Sequence, residues 1–349
     1  MRDIITQARV DLQESTAQII IEANSPFMWL PTSANSFGRP TSQRWQKGVL
    51  LIHGLFDSPF MLRDIGAALL QQGLYVQSLL LPGHGTVPGD LLNISYTEWL
   101  KAVDYGICDL AQKVEDVYLA GFSLGGTLAI HHALQKPFIK GLLLFSPAIQ
   151  LKDRFDAFMR WHHWLRWIVP PIRWYRRNPQ HTYAKYESFA FNAAYQIYLL
   201  IQHNYQLLAK KRLEMPLFVV ASQDDETIAT HALQTFFNNQ RHPDSRMIYY
   251  GNKSTLIDDS RILLRPSAYP ELRILDFSHT CIPIAPSNPH YGQQGDYQDF
   301  QHYHYKVTPK NREIYLGATH RNNLRRHIIQ RLSYNPDFAF MMQMVQEVM

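Results

Sequence analysis

Short apolar runs that end in glycine or a turn, each followed by a stretch of helical periodicity, recur along this chain and constrain its fold more than any other feature. Residues 47–54 read KGVLLIHG, the pattern of a short strand buried on both faces. Residues 60–72 carry Phe60, Ile65, Ala68 and Leu69 on one side, and Gly73 ends that predicted helix. A second apolar run, 75–81, leads into PGHG; residues 96–113 read as another helix, and the strand 117–120 leads into GFSLGG. Residues 124–135 are helical up to Pro137, and 139–145 is apolar again. Such alternation predicts an α/β fold: a mostly parallel central sheet with helices on both faces, joined by right-handed crossovers.

The alternation stops near residue 150. Residues 150–213 hold no convincing strand and are rich in Trp, Arg and Tyr. It resumes with PLFVVA at 216–221, a helix around 229–239, a strand near 246–250 and a last apolar run at 271–277. The expected organisation is an N-terminal lead-in (1–46), a core formed by 47–149 and 214–284, a helical cap (150–213) and a C-terminal extension (285–349) that ends in a helix at 334–349. The 349 residues suffice for a sizeable core. Cys108 and Cys281 are too few for a disulfide framework. With no signal-peptide pattern and no apolar run of spanning length, they suit a cytoplasmic protein, possible membrane contact being peripheral. A net charge of +5 is too small to imply nucleic-acid binding.

GFSLGG contains G-x-S-x-G around Ser123. A serine on a tight strand-to-helix turn needs flanking glycines, because side chains there would meet backbone. The helix that follows points its free N–H groups at the site. Ser123 is thus the candidate nucleophile. A tetrahedral oxyanion needs two N–H donors. One is expected from Leu124, after the nucleophile. The other is expected from Leu55, after the HG at the end of the first strand, with Phe56 as the fallback; His53 is read as a brace for that loop.

HGLFDSP (53–59), LLPGHG (80–85), YTEWL (96–100) and LAGFSLGG (119–126) occur in one order. Together they resemble the α/β-hydrolase superfamily, in its carboxylesterase and monoacylglycerol-lipase-like branch with a helical cap. The resemblance covers 47–230 well and 271–282 moderately. It implies a serine esterase or lipase that needs no cofactor and no metal, working through an acyl-enzyme. In that family the order is Ser, acid, His. The acid stands three residues before an aliphatic one, so Ile228 in ASQDDETI marks Asp225 rather than Asp224. The base should follow the last strand, which puts His279 first and His290 second. The gap from Asp225 to His279 is longer than in relatives, so an extra strand or loop is expected at 251–270.

Between 150 and 215, eleven Lys and Arg face four Asp and Glu, and four of the seven tryptophans stand there: Trp161, Trp164, Trp167 and Trp174. Trp161, Trp164, Leu165 and Ile168 share one helical face. That face reads as a lid over an apolar site, or as a basic aromatic surface at 158–177 for an anionic membrane. Either way the partner is a small-molecule or lipid ester with a hydrophobic acyl group. The pairs His131–His132 and His162–His163 diverge on a helix, and His302 with His304 lacks further ligands, so none reads as a metal site. Thioesterase and acyltransferase chemistry use the same residues and stay open, as does a non-catalytic binding role for the fold. Oligomeric state is not encoded in any of these signals.

Overall fold

The computed structural model describes residues 3, 5, 17–31, 44–152, 157–159, 161, 173–252, 258–297 and 313–349. It divides into two compact units, Met1–Leu143 with Asp153–Met215, and Leu144–Lys152 with Pro216–Met349. Trp164, Leu165, Trp167 and Ile168 lie outside the described residues, as do His162, His163, His302 and His304. Most of the 158–177 segment, read as a lid or as a membrane-facing surface, is among them.

In the first unit, strands β1 (Met28–Trp29), β2 (Trp45–Ile52), β3 (Tyr75–Ser78), β4 (Val114–Phe122) and β5 (Ile139–Phe145) lie in the order β1-β3-β2-β4-β5. β2 runs parallel to both β3 and β4, and β1 caps the edge antiparallel to β3. Helices Arg63–Gln71, Tyr96–Lys113 and Leu124–Ala133 alternate with these strands. The architecture is α/β with a mostly parallel sheet, as the alternating pattern predicts. The last five residues of β2 are all buried, which is why the sequence shows a continuous apolar run instead of alternation. Gly73 stops the helix Arg63–Gln71 at a φ of 88°, a conformation that suits glycine.

Tyr96–Lys113 starts with a capping box in which Glu98 accepts from the Ser95 N–H at 2.9 Å. One turn on, the wholly buried Trp99 donates its indole N–H to Pro82 O at 3.0 Å. The YTEWL motif therefore starts a helix and also pins the PGHG turn. Every residue of Leu124–Ala133 is buried, so this helix is apolar on all sides. His131 and His132 are core residues there. His131 bonds Asn204 Oδ1 at 2.8 Å, and burial pushes His132 down to about 4.

Residues 150–213, expected as a cap, contribute a long helix, Phe191–Leu208, tied to the Leu124–Ala133 helix when Asn204 Nδ2 donates to Thr127 O at 2.8 Å. The absence of strands expected at 150–213 does not hold. β6 (Trp174–Arg176) and β7 (Phe189–Ala190) form an antiparallel pair. Two-residue ladders leave too little period for a sequence pattern to register. No helix among the described residues is long and apolar enough to cross a membrane.

The second unit contains β8 (Leu217–Ser222), β9 (Arg246–Tyr250) and β10 (Ile262–Arg265), parallel and in that order, with helix Thr230–Asn239 between the first two. β10 is the extra strand expected at 251–270. The strand expected at 271–277 is absent. Pro270–Leu272 is a 3-10 turn, Arg273 is left-handed at φ 55°, and Ile274 makes only isolated bridges to Tyr269 and Leu316. The apolar run is real, but its backbone finds partners in the C-terminal extension. Leu275 N–H donates to Leu316 O, and Leu316 N–H to Arg273 O, both at 2.9 Å. Leu316 belongs to β11 (Ile314–Gly317), which pairs in parallel with β12 (Ile328–Arg331). Where a helix is expected at 334–349, the structure has the shorter helix Phe338–Met344 followed by the 3-10 helix Val345–Glu347.

Candidate active site

Ser123 stands between β4 and the Leu124–Ala133 helix with φ 52° and ψ −114°, a strained backbone for a residue with a side chain. Crowding explains its glycine neighbours. A Cβ on Gly121 would lie 2.4 Å from the Gly125 backbone, and one on Gly125 would lie 1.8 Å from Ile52 O. The turn is therefore wedged against the end of β2, whose Ile52 is in register with Gly121. Because β2 and β4 are parallel neighbours, the HGLF loop leaves the sheet beside the serine turn. Leu124 is the first residue of its helix, where N–H groups have no intrahelical acceptor.

Of the two loop N–H groups expected as oxyanion donors, Leu55 and Phe56, one has a partner. Phe56 N–H donates to His84 Nε2 at 3.1 Å, so this fallback donor is already engaged. Leu55 N–H has no such partner among the described residues. Phe56 itself adopts φ 67°. Its carbonyl accepts from Tyr186 N–H at 2.7 Å, which holds the strained peptide from both sides. His84 is fully buried, and burial pushes it down to about 4. With Nε2 accepting, its Nδ1 carries the proton and bonds Pro82 O at 3.2 Å. His53 uses the same tautomer. Nδ1 bonds Gly54 O at 2.8 Å, and Nε2 accepts from Leu81 N–H at 3.0 Å. Burial, then the nearby His84, holds His53 well below the usual histidine range. The two imidazoles meet edge to face at 4.9 Å and join the HGLF and PGHG loops. Motif order marks His53 and gives no role to His84; the recurrence of HG at 53–54 and 84–85 is the signal for it in the sequence.

In the second unit, Asp225 and His279 are both buried, and Asp225 Oδ2 lies 2.6 Å from His279 Nδ1. Asp225 Oδ1 accepts from Thr227 N–H at 2.8 Å and Ile228 N–H at 2.9 Å. Burial alone would raise this carboxyl. The His279 ring beside it and the N–H donors outweigh burial and hold it below the usual carboxylate range. His290 pairs instead with Asp296 and packs at a tilt against Tyr291 and Tyr297. Asp224 points elsewhere, towards Asp276 and His320, and burial followed by the Asp276 charge pushes it up to about 6. Ligand atoms of these three lie within 4.8 Å of one another. Asp276 already accepts from Ala318 N–H, Asn323 Nδ2 and His320 Nε2 at 2.7, 2.7 and 3.1 Å. Hydrogen bonds thus account for the cluster.

Comparison with known proteins agrees with this architecture. Residues 43–254 match the family described as serine aminopeptidase, S33 (Hydrolase_4). A thermostable monoacylglycerol lipase of Bacillus sp. (strain H-257) is 32% identical over 104 residues, 30% of this chain and 42% of that protein. A carboxylesterase of Bacillus subtilis (strain 168) is 22% identical over 244 residues, 66% of this chain and 94% of that protein. The solved structure of a soluble variant of monoglyceride lipase from Saccharomyces cerevisiae shares the fold at a TM-score of 0.52 and 13% identity, covering 64% of this chain and 81% of that one. A match over more than half of the sequence, seated on the parallel sheet and the Ser123 turn, decides the affiliation: the chain belongs to the serine aminopeptidase, S33 (Hydrolase_4) family of α/β-hydrolases, the esterase- and monoacylglycerol-lipase-like kind.

Proposed function

We propose that this protein hydrolyses carboxylic esters of hydrophobic acyl groups through an acyl-enzyme, with Ser123 as nucleophile, His279 as base and Asp225 as the acid that orients it. The buried Asp225–His279 pair carries this reading. A carboxylate kept ionised against Nδ1 fixes the tautomer whose Nε2 can take a serine proton, and it stabilises the imidazolium that results. His279 then returns the proton to the leaving alcohol, and water attacks the acyl-enzyme by the same route in reverse. The N–H groups of Leu55 and Leu124 receive the oxyanion in each tetrahedral state. The strained Ser123 turn and the loop lock made by His53 and His84 support these roles.

Aromatic side chains next to the oxyanion loop support an apolar acyl group. The Phe56 ring lies 4.6 Å from Phe189 of β7, which lies 5.3 Å from the exposed Tyr175 of β6. These rings give an alkyl chain a surface that a polar substituent would not favour. The names of the Bacillus relatives, a monoacylglycerol lipase and a carboxylesterase, point to the same substrate class. A panel of p-nitrophenyl esters of graded chain length, a monoacylglycerol, an acyl thioester and an amino-acid p-nitroanilide tests the reading. Turnover should favour the medium or long oxygen esters; preference for the thioester or anilide would replace ester hydrolysis as the main activity.

A further inference from the structure

The acid loop carries three consecutive carboxylates, Asp224, Asp225 and Glu226, and the proposed chemistry uses one. Glu226 does something the reaction scheme does not assign. Its Oε2 accepts the backbone N–H of His279 at 3.0 Å. Its Oε1 is ion-paired with Arg331, the last residue of β12. The pair is largely buried, with side chains 14% and 20% exposed. Neither group therefore behaves as a solvated surface charge. Arg331 lies beyond the segment matched by the family, in an extension whose sequence offers no motif.

Other contacts from the same extension converge on the residues just before His279. Ser278 Oγ donates to Leu332 O at 2.6 Å. Asp276 is held by Ala318, His320 and Asn323, and Leu275 by Leu316. The main chain from 275 to 279 thus hangs from β11, β12 and the acid loop. From β8, Ser222 Oγ also grips Phe277 O at 3.0 Å. With the main chain held, the imidazole has only two torsions left, and its bond to Asp225 selects among their few wells.

We infer that Glu226 and Arg331 are positioning residues for His279: the carboxylate of Glu226, anchored by Arg331, holds the His279 main chain so that the ring can bond Asp225 at Nδ1 and present Nε2 for proton transfer. The inference rests on the triad reading above. The C-terminal extension thereby serves the site through Arg331, as a positioning element.

The test uses the full chain and the variants Arg331→Met, Arg331→Lys and Glu226→Gln. Each is measured for kcat and KM on a p-nitrophenyl ester, for the rate of fluorophosphonate labelling at Ser123, and for the downfield proton resonance of His279 Nδ1–H. Arg331→Met should lower kcat and the labelling rate together, by about tenfold or more, with KM nearly unchanged, because a misdirected base costs rate and not ground-state binding. It should also shift or broaden the Nδ1–H resonance, and Arg331→Lys should restore most of the rate. A merely structural role would lower the melting temperature while leaving kcat and the resonance of the folded enzyme intact, and that result overturns the inference. If Arg331→Met does not fold, Glu226→Gln decides. It keeps an acceptor for the His279 N–H and loses only the charge that Arg331 grips, so a smaller loss of kcat supports the inference and an unchanged kcat overturns it. Failure of the triad is distinguishable: there the wild-type protein itself would not be labelled at Ser123.

Discussion

The turn that carries Ser123 and the segment that carries His279 are held in different ways. The serine turn is built from nearby sequence and backbone. Five residues, Gly121 to Gly125, contain the strained φ, the two glycines and the first free N–H of the helix. Its approach to the end of β2 is backbone against backbone. The histidine segment has only a three-residue 3-10 helix of its own, His279–Cys281. It depends on Asp225 and Glu226, more than fifty residues earlier in the chain, and on Leu316, Ala318, Asn323, Arg331 and Leu332 further along. A locally encoded site fails when one atom is added to its backbone. A site assembled at long range fails when a partner is removed.

Four measurements sharpen or break that contrast. The largest expected effect belongs to Ser123→Ala, which should reduce ester hydrolysis by about 10⁴-fold or more; full activity in this variant would remove Ser123 as nucleophile. Asp225→Asn should cost about 10³–10⁴ in kcat with little change in KM, because the amide favours the wrong histidine tautomer. If steady-state kinetics show less than a tenfold loss, the buried pair is structural. Gly125→Ala should destabilise the fold by about 3 kcal/mol or more, since its Cβ falls 1.8 Å from Ile52 O. Urea denaturation of that variant at wild-type stability would mean that the turn is looser than the backbone contact requires.

The smallest effect tests the charge pattern of the acid loop. Asp224, pushed up to about 6 by burial and Asp276, binds its proton more tightly folded than unfolded. Stability linked to it is full below the unfolded carboxyl range and is lost as pH rises through about 6. Asp224→Asn should therefore raise stability by about 1 kcal/mol at pH 7, after allowance for partial solvent screening, and leave it unchanged at pH 3.5. The opposite sign in thermal melts at the two pH values would show that the Asp224 charge is compensated by His320. His84, pushed down to about 4, works in the other direction. It stays neutral in the folded state, so the stability it contributes is full above about 6.5 and falls away as pH drops towards 4.

The same contrast explains which expectations the sequence could support. Periodicity located β2, β4, β5, β8 and β9, because strands buried on both faces leave continuous apolar runs. It misassigned 271–277, since apolar character says that a segment is buried without saying which backbone it pairs with. Motif order singles out Ser123, Asp225 and His279 and proposes the N–H groups of Leu55 and Leu124 as donors; of these, the Asp225–His279 contact is the one a distance can check. His84 was passed over because a neutral, buried histidine that accepts from Phe56 N–H looks, in sequence, like any of the sixteen histidines. Glu226 and Arg331 were invisible for a related reason: an ion pair spanning more than a hundred residues leaves no periodic trace.

By itself, the sequence determined the layered α/β plan and the Ser123 turn. Both follow from short-range rules, the spacing of apolar side chains and the intolerance of a tight turn for a Cβ. The tertiary structure decided which of three adjacent carboxylates meets the His279 ring and which its main chain, that the Phe56 N–H is engaged by His84, and what the C-terminal extension holds. These depend on hydrogen-bond partners far apart in the chain, and a buried polar group is satisfied by whatever the fold brings within about 3 Å of it.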